Sequence, residues 1–237
     1  MSIAFNSAPY WLDPDNHDEL FPDVELATME PDGLLAIGGD LSPARLLNAY
    51  RHGIYPWFDS NHPLLWWSPN PRSVLYPSKL KVSRSLNKTI RNRGFEIRFD
   101  SAFTSVIDAC SEARKYSDDT WIDQRIKSAY ITLHELGHAH SAETWLDGEL
   151  VGGLYGVAIG QVFYGESMFH KERDASKVAF VSLVRKLLAW KFQLIDCQMT
   201  TSHLLSLGAE EIRRQELTHH LNQWCDQSAS KQAWSIS

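Results

Sequence analysis

The sequence predicts a mixed fold of the α+β or α/β class, and two stretches of the chain indicate it. Three β-rich runs follow one another, and Asp147-Gly148, a pair that favours a tight hairpin turn, joins the first two. They predict a three-stranded antiparallel meander over residues 141–146, 149–160 and 161–169. An apolar-rich helix over residues 175–191, capped by Asp174, and a buried strand over 192–199 come next. A helix and a further strand added to a meander predict a sheet of mixed pairing.

The other elements are marked mainly by their end signals. The first 35 residues are rich in Pro, Asp and Asn and predict irregular structure with short extended pieces. Ser42 as cap and Pro43 at the first position predict a helix over residues 42–50, which stops before Gly53. Prolines and tryptophans follow, and we place a boundary there between a small N-terminal domain, residues 1–70, and a larger domain, residues 71–237. A strand is predicted at residues 74–76, and helices at 83–92, 100–115, 123–136, 201–207 and 213–224.

The composition of the 237 residues excludes several classes of protein. A content of 43% hydrophobic and 22% charged residues excludes a wholly disordered or fibrous chain. The longest uncharged apolar stretch, residues 150–160, is shorter than the ~20 residues of a membrane helix, so no membrane partner is expected. Residues 1–15 lack the pattern of a secretory signal, and the cysteines 110, 197 and 225 form no C-x-x-C pair. We therefore expect a cytoplasmic protein, and the expected oligomeric state is a monomer.

Charge is segregated along the chain. The net charge is −6, yet residues 79–98 carry seven basic side chains and one acid. Tryptophans near this segment offer flat faces on which a nucleic-acid base can stack, while the basic side chains offer contacts to phosphates. The alternative is that the tryptophans belong to the core and the charges to a solvated face. Both interpretations remain open on these residues, the tryptophans being Trp57, Trp66, Trp67 and Trp121.

Two motifs resemble known sites and are rejected on their details. His134-Glu135-Leu136-Gly137-His138 matches the H-E-x-x-H zinc pattern, in which both His must share one helix face. Gly137 is expected to end the helix, which takes His138 off that face, so no metal is predicted. Residues 33–40 have the glycine spacing of a phosphate loop, but Asp40 stands where that loop requires Ser or Thr. A tight glycine turn leading into the Ser42 helix is expected there instead.

Two predicted strands carry polar side chains that need a reason. Asp196 and Gln198 are two residues apart on a buried strand, so a regular strand places them on one face, about 7 Å apart. Glu166 is an acid within an apolar strand, and Gly165 beside it permits a bulge. Each group is either a satisfied hydrogen-bonding partner of the sheet or a part of a functional site.

Beyond these residues, the chain resembles the leucyl/phenylalanyl-tRNA–protein transferase family over residues 31–208. The resemblance rests on six motifs: Gly38-Gly39-Asp40-Leu41-Ser42-Pro43, Gly53-Ile54-Tyr55-Pro56-Trp57-Phe58, Trp66-Trp67-Ser68-Pro69, residues 133–141, Gly165-Glu166-Ser167-Met168-Phe169 and Ile195-Asp196-Cys197-Gln198. It implies an enzyme that moves Leu or Phe, with Met as a further candidate, from aminoacyl-tRNA to proteins with an N-terminal Arg or Lys. The modified proteins would enter the N-degron route of degradation.

The resemblance also implies a fold and a set of roles. The larger domain would be similar to the acetyl-CoA-dependent N-acyltransferases, and no cofactor would be needed. Asp196 and Gln198 would act at the reacting centre, although Asp196 is also a candidate anion for the acceptor's Arg. The aminoacyl pocket would be formed by Leu154, Phe163, Gly165, Glu166 and Ile195, with Glu166 on the donor's α-amino group. Contacts to tRNA are expected from Trp57 and Trp121, on the terminal adenosine, and from Lys81, Arg84, Lys88 and Arg91, on phosphates.

Two other functions remain as alternatives. An acetyltransferase that uses coenzyme A would share the implied fold, but the sequence lacks an obvious glycine-rich pyrophosphate loop between a strand and a helix. A tRNA-binding module without catalysis would share the basic and aromatic residues. Transfer from acetyl-CoA distinguishes the first, and tight tRNA binding without product distinguishes the second.

Overall fold

The computed structural model describes residues 9–59, 62–113 and 122–235. Its N-terminal part is a four-stranded sheet in the order β1-β2-β4-β3. Strands β1 and β2 are parallel, and the other two pairings are antiparallel. The strands are β1 (Tyr10–Leu12), β2 (Leu34–Gly38), β3 (Tyr55–Pro56) and β4 (Leu65–Trp67).

Strand β2 corrects one expectation from the sequence. The stretch after Gly33 was expected to be a glycine turn, yet Leu34 to Gly38 form a strand between β1 and β4. The turn begins only at Gly38 and Gly39, both with positive φ, and it leads into helix α1 (Pro43–Arg51). The Ser42 side chain accepts from the Arg45 amide, so the predicted cap is confirmed.

The C-terminal part is a seven-stranded mixed sheet in the order β11-β5-β10-β9-β8-β7-β6. Its only parallel pair is β9 with β10, so within the described ranges the predicted mixed pairing is confirmed. The predicted meander forms its centre, with Asp147 and Gly148 both at positive φ in the turn. The strands are β5 (Arg72–Leu75), β6 (Glu96–Phe99), β7 (Ala139–Leu146), β8 (Glu149–Ile159), β9 (Val162–His170), β10 (Leu194–Gln198) and β11 (Glu210–Ile212).

Six further helices lie close to their predicted positions. They are α2 (Arg84–Asn92), α3 (Phe103–Ala113), α4 (Gln124–Glu135), α5 (Ala175–Ala189), α6 (Ser202–Ser206) and α7 (Arg214–Trp224). Helix α3 starts three residues later than expected, because the Asp100 side chain is held by His140 and by the Ser141 amide. Asp174 does precede α5, but its carboxylate accepts from Lys177 instead of capping the helix. No helix in the described ranges is long and apolar enough to cross a membrane.

The large sheet buries both of its faces. Neighbouring residues of β8 show this, since Leu154 packs into the cluster formed with α5, and Tyr155 into the cluster formed with α3 and α4. The second cluster continues without a break into the N-terminal sheet through Tyr50 and Trp66, both fully buried. One apolar core therefore joins the two sheets.

Candidate active site

The cavity that collects six of the predicted site residues opens where β9 and β10 separate. These parallel strands pair only from Leu194–Val162 to Asp196–Tyr164. Immediately beyond that point, Gly165 and Glu166 of β9 and Cys197 and Gln198 of β10 line a cavity of about 460 Å³. Ligands commonly bind at such a divergence, because backbone groups of both strands are released from the ladder.

The walls of the cavity are mainly apolar, with a smaller number of polar side chains among them. Leu154 and Ile195 are almost fully buried in the wall, whereas Trp57 is 42% exposed. The other residues around it are Tyr55, Tyr155, Ser167, Met168, Phe180, Met199, Thr200, Thr201, His203 and Leu204. Such a space accepts an apolar side chain and leaves an aromatic face available outside it.

Glu166 is the only carboxylate among the described residues that line the cavity, and three side chains hold it. Oε1 accepts from the Tyr50 hydroxyl at 2.7 Å and from Gln198 Nε2 at 2.9 Å, and Oε2 accepts from the Tyr130 hydroxyl at 3.0 Å. The two tyrosine hydroxyls also hydrogen-bond to each other. Burial raises the pKa of Glu166 to about 7, against the three donors, which favour the ionised form. A cationic ligand group would be paired well by this carboxylate.

A glycine allows β9 to turn Glu166 into the cavity. The register of β8 against β9 shifts between Tyr155 and Gly156. A Cβ atom on Gly156 would lie 2.1 Å from the Tyr164 carbonyl oxygen and 2.6 Å from the Phe163 ring, so only glycine fits. Because Gly156 pairs with Gly165 and Tyr155 pairs with Ser167, Glu166 is the extra, unpaired residue of this bulge, which lets its side chain turn toward the cavity.

Gln198 reaches the cavity in a way that the sequence did not predict. A bulge lies between Asp196 and Gln198 in the pairing with β5, and Gln198 has a φ of 61°. The regular two-residue spacing expected for this pair is therefore wrong. The Gln198 amide instead donates to Asp196 Oδ1 at 2.9 Å, while its side chain crosses to Glu166.

Asp196 lies behind the wall and is fully buried. Its two oxygens accept from Arg72 Nε at 2.9 Å and Nη2 at 2.8 Å, a bidentate pair in which both side chains are 1% exposed or less. Burial lowers the pKa of Arg72, but the Asp196 carboxylate more than offsets this and raises it above the ordinary value. The Arg72 guanidinium also lies over the Tyr55 ring, 4.6 Å from its centre. Asp196 thus contacts the site through the Gln198 backbone.

Phe163 also lies outside the set of lining residues. Its ring is 1% exposed and packs in the core shared with α5, beside Trp234 at a centroid distance of 6.0 Å. It supports the wall near Leu154 and Ile195, which belong to the same cluster.

The basic residues predicted to contact tRNA are exposed around α2. Arg84, Lys88 and Arg91 follow helical spacing along one face, and Lys81 precedes the helix. None of these four forms a salt bridge with a carboxylate of the described residues. Other basic residues of the segment do: Lys79 with Glu210, Arg93 with Glu172 and Arg98 with Glu96. Four of the seven basic side chains of residues 79–98 therefore have no carboxylate partner among the described residues.

The tryptophans differ in their surroundings. The rings of Trp57 and Trp67 are packed edge to face, with their centroids 5.8 Å apart. Trp67 Nε1 also donates to the Trp57 carbonyl at 2.6 Å, which fixes the Trp57 backbone at the cavity mouth. Trp66 is fully buried in the core. Trp121 lies outside the described residues.

Several residues of the site were missed at the sequence level. Tyr50 and Tyr130 are 116 and 36 residues from Glu166 along the chain, and Arg72 is 124 residues from Asp196. Apolar periodicity places Tyr50 on the buried face of α1 but gives no sign of its partner. The burial of Arg72, which is unusual for an arginine, is evident only in the structure.

The two His residues of the H-E-x-x-H motif do not share a helix face, as expected from Gly137. Helix α4 ends at Glu135, Gly137 has a φ of 79°, and His138 follows outside the helix. The His134 ring stacks on Phe103 at 4.2 Å, and its Nδ1 contacts the Ala139 carbonyl at 2.8 Å. In the described ranges, no three His, Cys, Asp or Glu side chains are grouped as metal ligands would be.

Comparison with known proteins identifies the family. A family model described as leucyl/phenylalanyl-tRNA protein transferase matches residues 74–222, and a model of the N-terminal domain of the same transferase matches residues 39–70. A leucyl/phenylalanyl-tRNA–protein transferase of Nitrosospira multiformis is 55% identical over 224 residues, which cover 94% of this chain and 95% of that protein. That of Aromatoleum aromaticum is 56% identical over 215 residues, 91% of each chain.

Solved structures are similar over part of the chain. FemX, at 10% identity, covers 75% of this chain and 70% of its own, with a TM-score of 0.48. A GCN5-related N-acetyltransferase-like protein from Streptococcus suis, at 12% identity, covers 75% of this chain and 67% of its own, with a TM-score of 0.35. The family models and the relatives above 50% identity, which span nearly the whole chain, decide the assignment. The chain belongs to the leucyl/phenylalanyl-tRNA–protein transferase family.

Proposed function

We propose that this chain transfers Leu or Phe from aminoacyl-tRNA to the N-terminal Arg or Lys of acceptor proteins. The observation that carries the proposal is the cavity between β9 and β10, with apolar walls and the Glu166 carboxylate beside Gln198. An aminoacyl group has the matching chemistry, an apolar side chain next to an ammonium group. Trp57 at the mouth offers a stacking face for the terminal base of the tRNA.

The reaction needs positioning more than it needs a protein nucleophile. The acceptor's α-amine attacks the ester carbonyl, and the tRNA 3′ oxygen leaves, so a peptide bond replaces the ester. Holding the two substrates in the right geometry supplies much of the rate enhancement. The amine, with an ordinary pKa of ~8, must be neutral to attack and gains positive charge as the bond forms.

The roles follow from the contacts. Glu166 pairs with the donor's α-ammonium. Gln198 acts at the reacting carbonyl through hydrogen bonds alone, because its amide is not basic enough to take a proton. Asp196 acts on the reacting centre by fixing the Gln198 backbone, because both of its oxygens already accept from Arg72. Phosphate contacts come from the free cations of α2, and Trp121 is a second stacking residue.

The cellular setting is part of the proposal. The chain would act in the cytoplasm, where aminoacyl-tRNA is found, and as a monomer. Product proteins would enter N-degron degradation. Sedimentation at several concentrations tests the monomer.

The decisive experiment uses Leu-tRNA and a peptide that begins with Arg. Mass spectrometry is expected to find the peptide heavier by one Leu residue. The matched control is the same peptide beginning with Ser, which is expected to remain unmodified. Acetylation from acetyl-CoA, or tight tRNA binding without product, would replace the proposal with one of the two alternatives.

A further inference from the structure

The acceptor's first residue carries a positive side chain, so an anion is needed close to the reacting amine. Asp196 was one candidate, but it is fully buried and both oxygens are bonded to Arg72. Glu166 is held by three donors and, in the proposed function, pairs with the donor's α-ammonium. The acceptor's guanidinium or ammonium group therefore requires another carboxylate.

The sheet register brings Glu211 of β11 to the same row as Gln198. In the antiparallel pairs, Gln198 lies opposite Ser73 of β5, and Glu211 also lies opposite Ser73. Directly paired residues of antiparallel strands project from the same face. Glu211 therefore projects from the same face as Ser73, whereas the bulge before Gln198 directs that side chain to Glu166. The backbones of Glu211 and Gln198 are two strand spacings, or roughly 10 Å, apart.

A second contact brings Glu211 to the rim of the cavity. Thr200, which lines the cavity, donates its hydroxyl to Glu211 Oε1 at 2.6 Å. Glu211 is exposed and forms no salt bridge with any cation in the described ranges. Its neighbour Glu210 faces the other side of β11 and is paired with Lys79 at 2.6 Å.

We infer that Glu211 binds the positive side chain of the acceptor's N-terminal Arg or Lys. The inference rests on the proposed function and names a specificity residue for it. With the acceptor's amine beside Gln198, its extended side chain runs across β5 toward the rim, where the carboxylate awaits a cation. The Thr200 hydroxyl orients the carboxylate through one lone pair of Oε1, which leaves Oε2 and the second lone pair of Oε1 for the acceptor. A guanidinium can donate two hydrogen bonds to one carboxylate, so an acceptor that begins with Arg is expected to bind more tightly through Glu211 than one that begins with Lys.

Steady-state kinetics with Glu211→Gln test this role. For peptides beginning with Arg or Lys, the acceptor KM is expected to rise roughly tenfold, with a larger rise for Arg. The maximal rate and the affinity for Leu-tRNA are expected to stay unchanged, since Glu211 touches neither the carbonyl nor the donor. Glu211→Asp keeps the charge and should recover part of the affinity. Thermal melting of each variant shows whether it is folded.

Two controls make the result specific. Glu210→Gln removes the adjacent charge on the opposite face and is expected to leave the acceptor KM unchanged. Asp32→Asn removes an exposed carboxylate near Tyr55 and should also have no effect. An unchanged KM for folded Glu211→Gln, or an equal rise for either control, would overturn the inference while leaving the proposed function intact. If the unmodified protein fails to transfer Leu at all, it is the proposed function that fails.

Discussion

The Tyr50 hydroxyl, on a helix of the N-terminal part of the chain, donates a 2.7 Å hydrogen bond to Glu166 on the large sheet. This contact spans 116 residues and stabilises the ionised carboxylate. Tyr50 itself is buried, and burial together with the Glu166 charge raises its pKa well above the ordinary value, so it stays a donor. The charge at the end of the cavity is thus set partly by a residue outside the sheet that carries it.

Replacing Tyr50 by Phe is expected to shift the pH dependence of donor binding upwards. The pKa of Glu166, about 7 in the intact protein, is expected to rise further when one of its three hydrogen-bond donors is lost. Donor binding requires the ionised form, so the midpoint of Leu-tRNA affinity against pH moves to higher pH. Tyr76→Phe, whose hydroxyl contacts His220 instead, is the control and should not shift it. An unshifted midpoint in Tyr50→Phe would show that Glu166 does not control donor binding.

Glu166→Gln is expected to stabilise the fold above neutral pH. Because the pKa of Glu166 is raised by burial, the carboxyl ionises more readily in the unfolded chain, and stability falls as pH rises from about 4.5 to about 7. Gln avoids this loss, which is at most about 3 kcal/mol. Urea unfolding at pH 5 and pH 8 measures it. A stability difference between variant and parent that is equal at both pH values would contradict the raised pKa.

Asp196→Asn is expected to destabilise the protein as well as slow it. The substitution leaves Arg72 buried without a counter-charge, which costs about 3 kcal/mol. Asp226→Asn breaks an exposed ion pair with Arg51 and should cost under about 1 kcal/mol in the same urea experiment. Equal losses of unfolding free energy in the two variants would show that the buried pair contributes no more to stability than the exposed one.

The kinetic consequence of Asp196→Asn separates its two candidate roles. If Asp196 fixes the Gln198 backbone at the reacting centre, the maximal single-turnover rate falls by ~10² to 10⁴ at saturating acceptor. The double variant with Gln198→Ala then loses less than the product of the single losses, because both act through one hydrogen-bonded unit. A raised acceptor requirement with an unchanged maximal rate would assign Asp196 to acceptor binding.

The salt dependence of tRNA binding separates phosphate contacts from stacking. Arg84→Ala is expected to flatten the slope by roughly one charge, because this exposed cation has no carboxylate partner among the described residues. Arg93→Ala, in which the lost cation is already paired with Glu172, should change it less. Trp57→Ala is expected to cost ~1 to 3 kcal/mol with the slope unaltered. Filter binding at several salt concentrations measures all three, and equal slope changes would refute the division of roles.

Donor choice is expected to depend on the apolar wall. Ala-tRNA leaves space unfilled beside Leu154 and Ile195, and each missing methylene costs about 1 to 3 kcal/mol, so its kcat/KM falls well below that of Leu-tRNA. Leu154→Ala should reduce the ratio of kcat/KM for Leu-tRNA to kcat/KM for Ala-tRNA. Leu205→Ala, at an exposed residue of α6 outside the cavity, should leave it unchanged. Equal transfer from Ala-tRNA and Leu-tRNA by the intact protein would exclude selection by this wall.

Local signals explain what could be predicted from the sequence. Helices α1, α2, α4 and α6 begin after Ser42, Ser83, Asp123 and Thr201, whose side chains accept from backbone amides as their types predict. The hairpin at Asp147-Gly148 was equally readable. Strands β6 and β11, of four and three residues, were missed. Polar and apolar residues do alternate in β6, but over a run too short to stand out at the end of the basic segment.

The sequence predicted which polar residues belong to the site but did not predict which residues they contact. Glu166, Gln198 and Asp196 are polar within apolar strands, so the sequence marked them. The bulge after Asp196 and the pairing of Arg72 depend on which strands become neighbours, a tertiary property without a local pattern. The same reason hid Glu211, whose link to Gln198 passes through Ser73 of an intervening strand.

The apolar core shared by the two sheets makes their folding cooperative. Tyr50 belongs to that core together with Tyr164 and Leu217 of the C-terminal part. A fluctuation that lifts α1 from the large sheet exposes this apolar surface and, in the same movement, withdraws a hydrogen-bond donor from Glu166. Partial unfolding of the smaller sheet is therefore coupled to loss of the charged anchor in the cavity, so a chain that retains the anchor is also one whose two parts are docked.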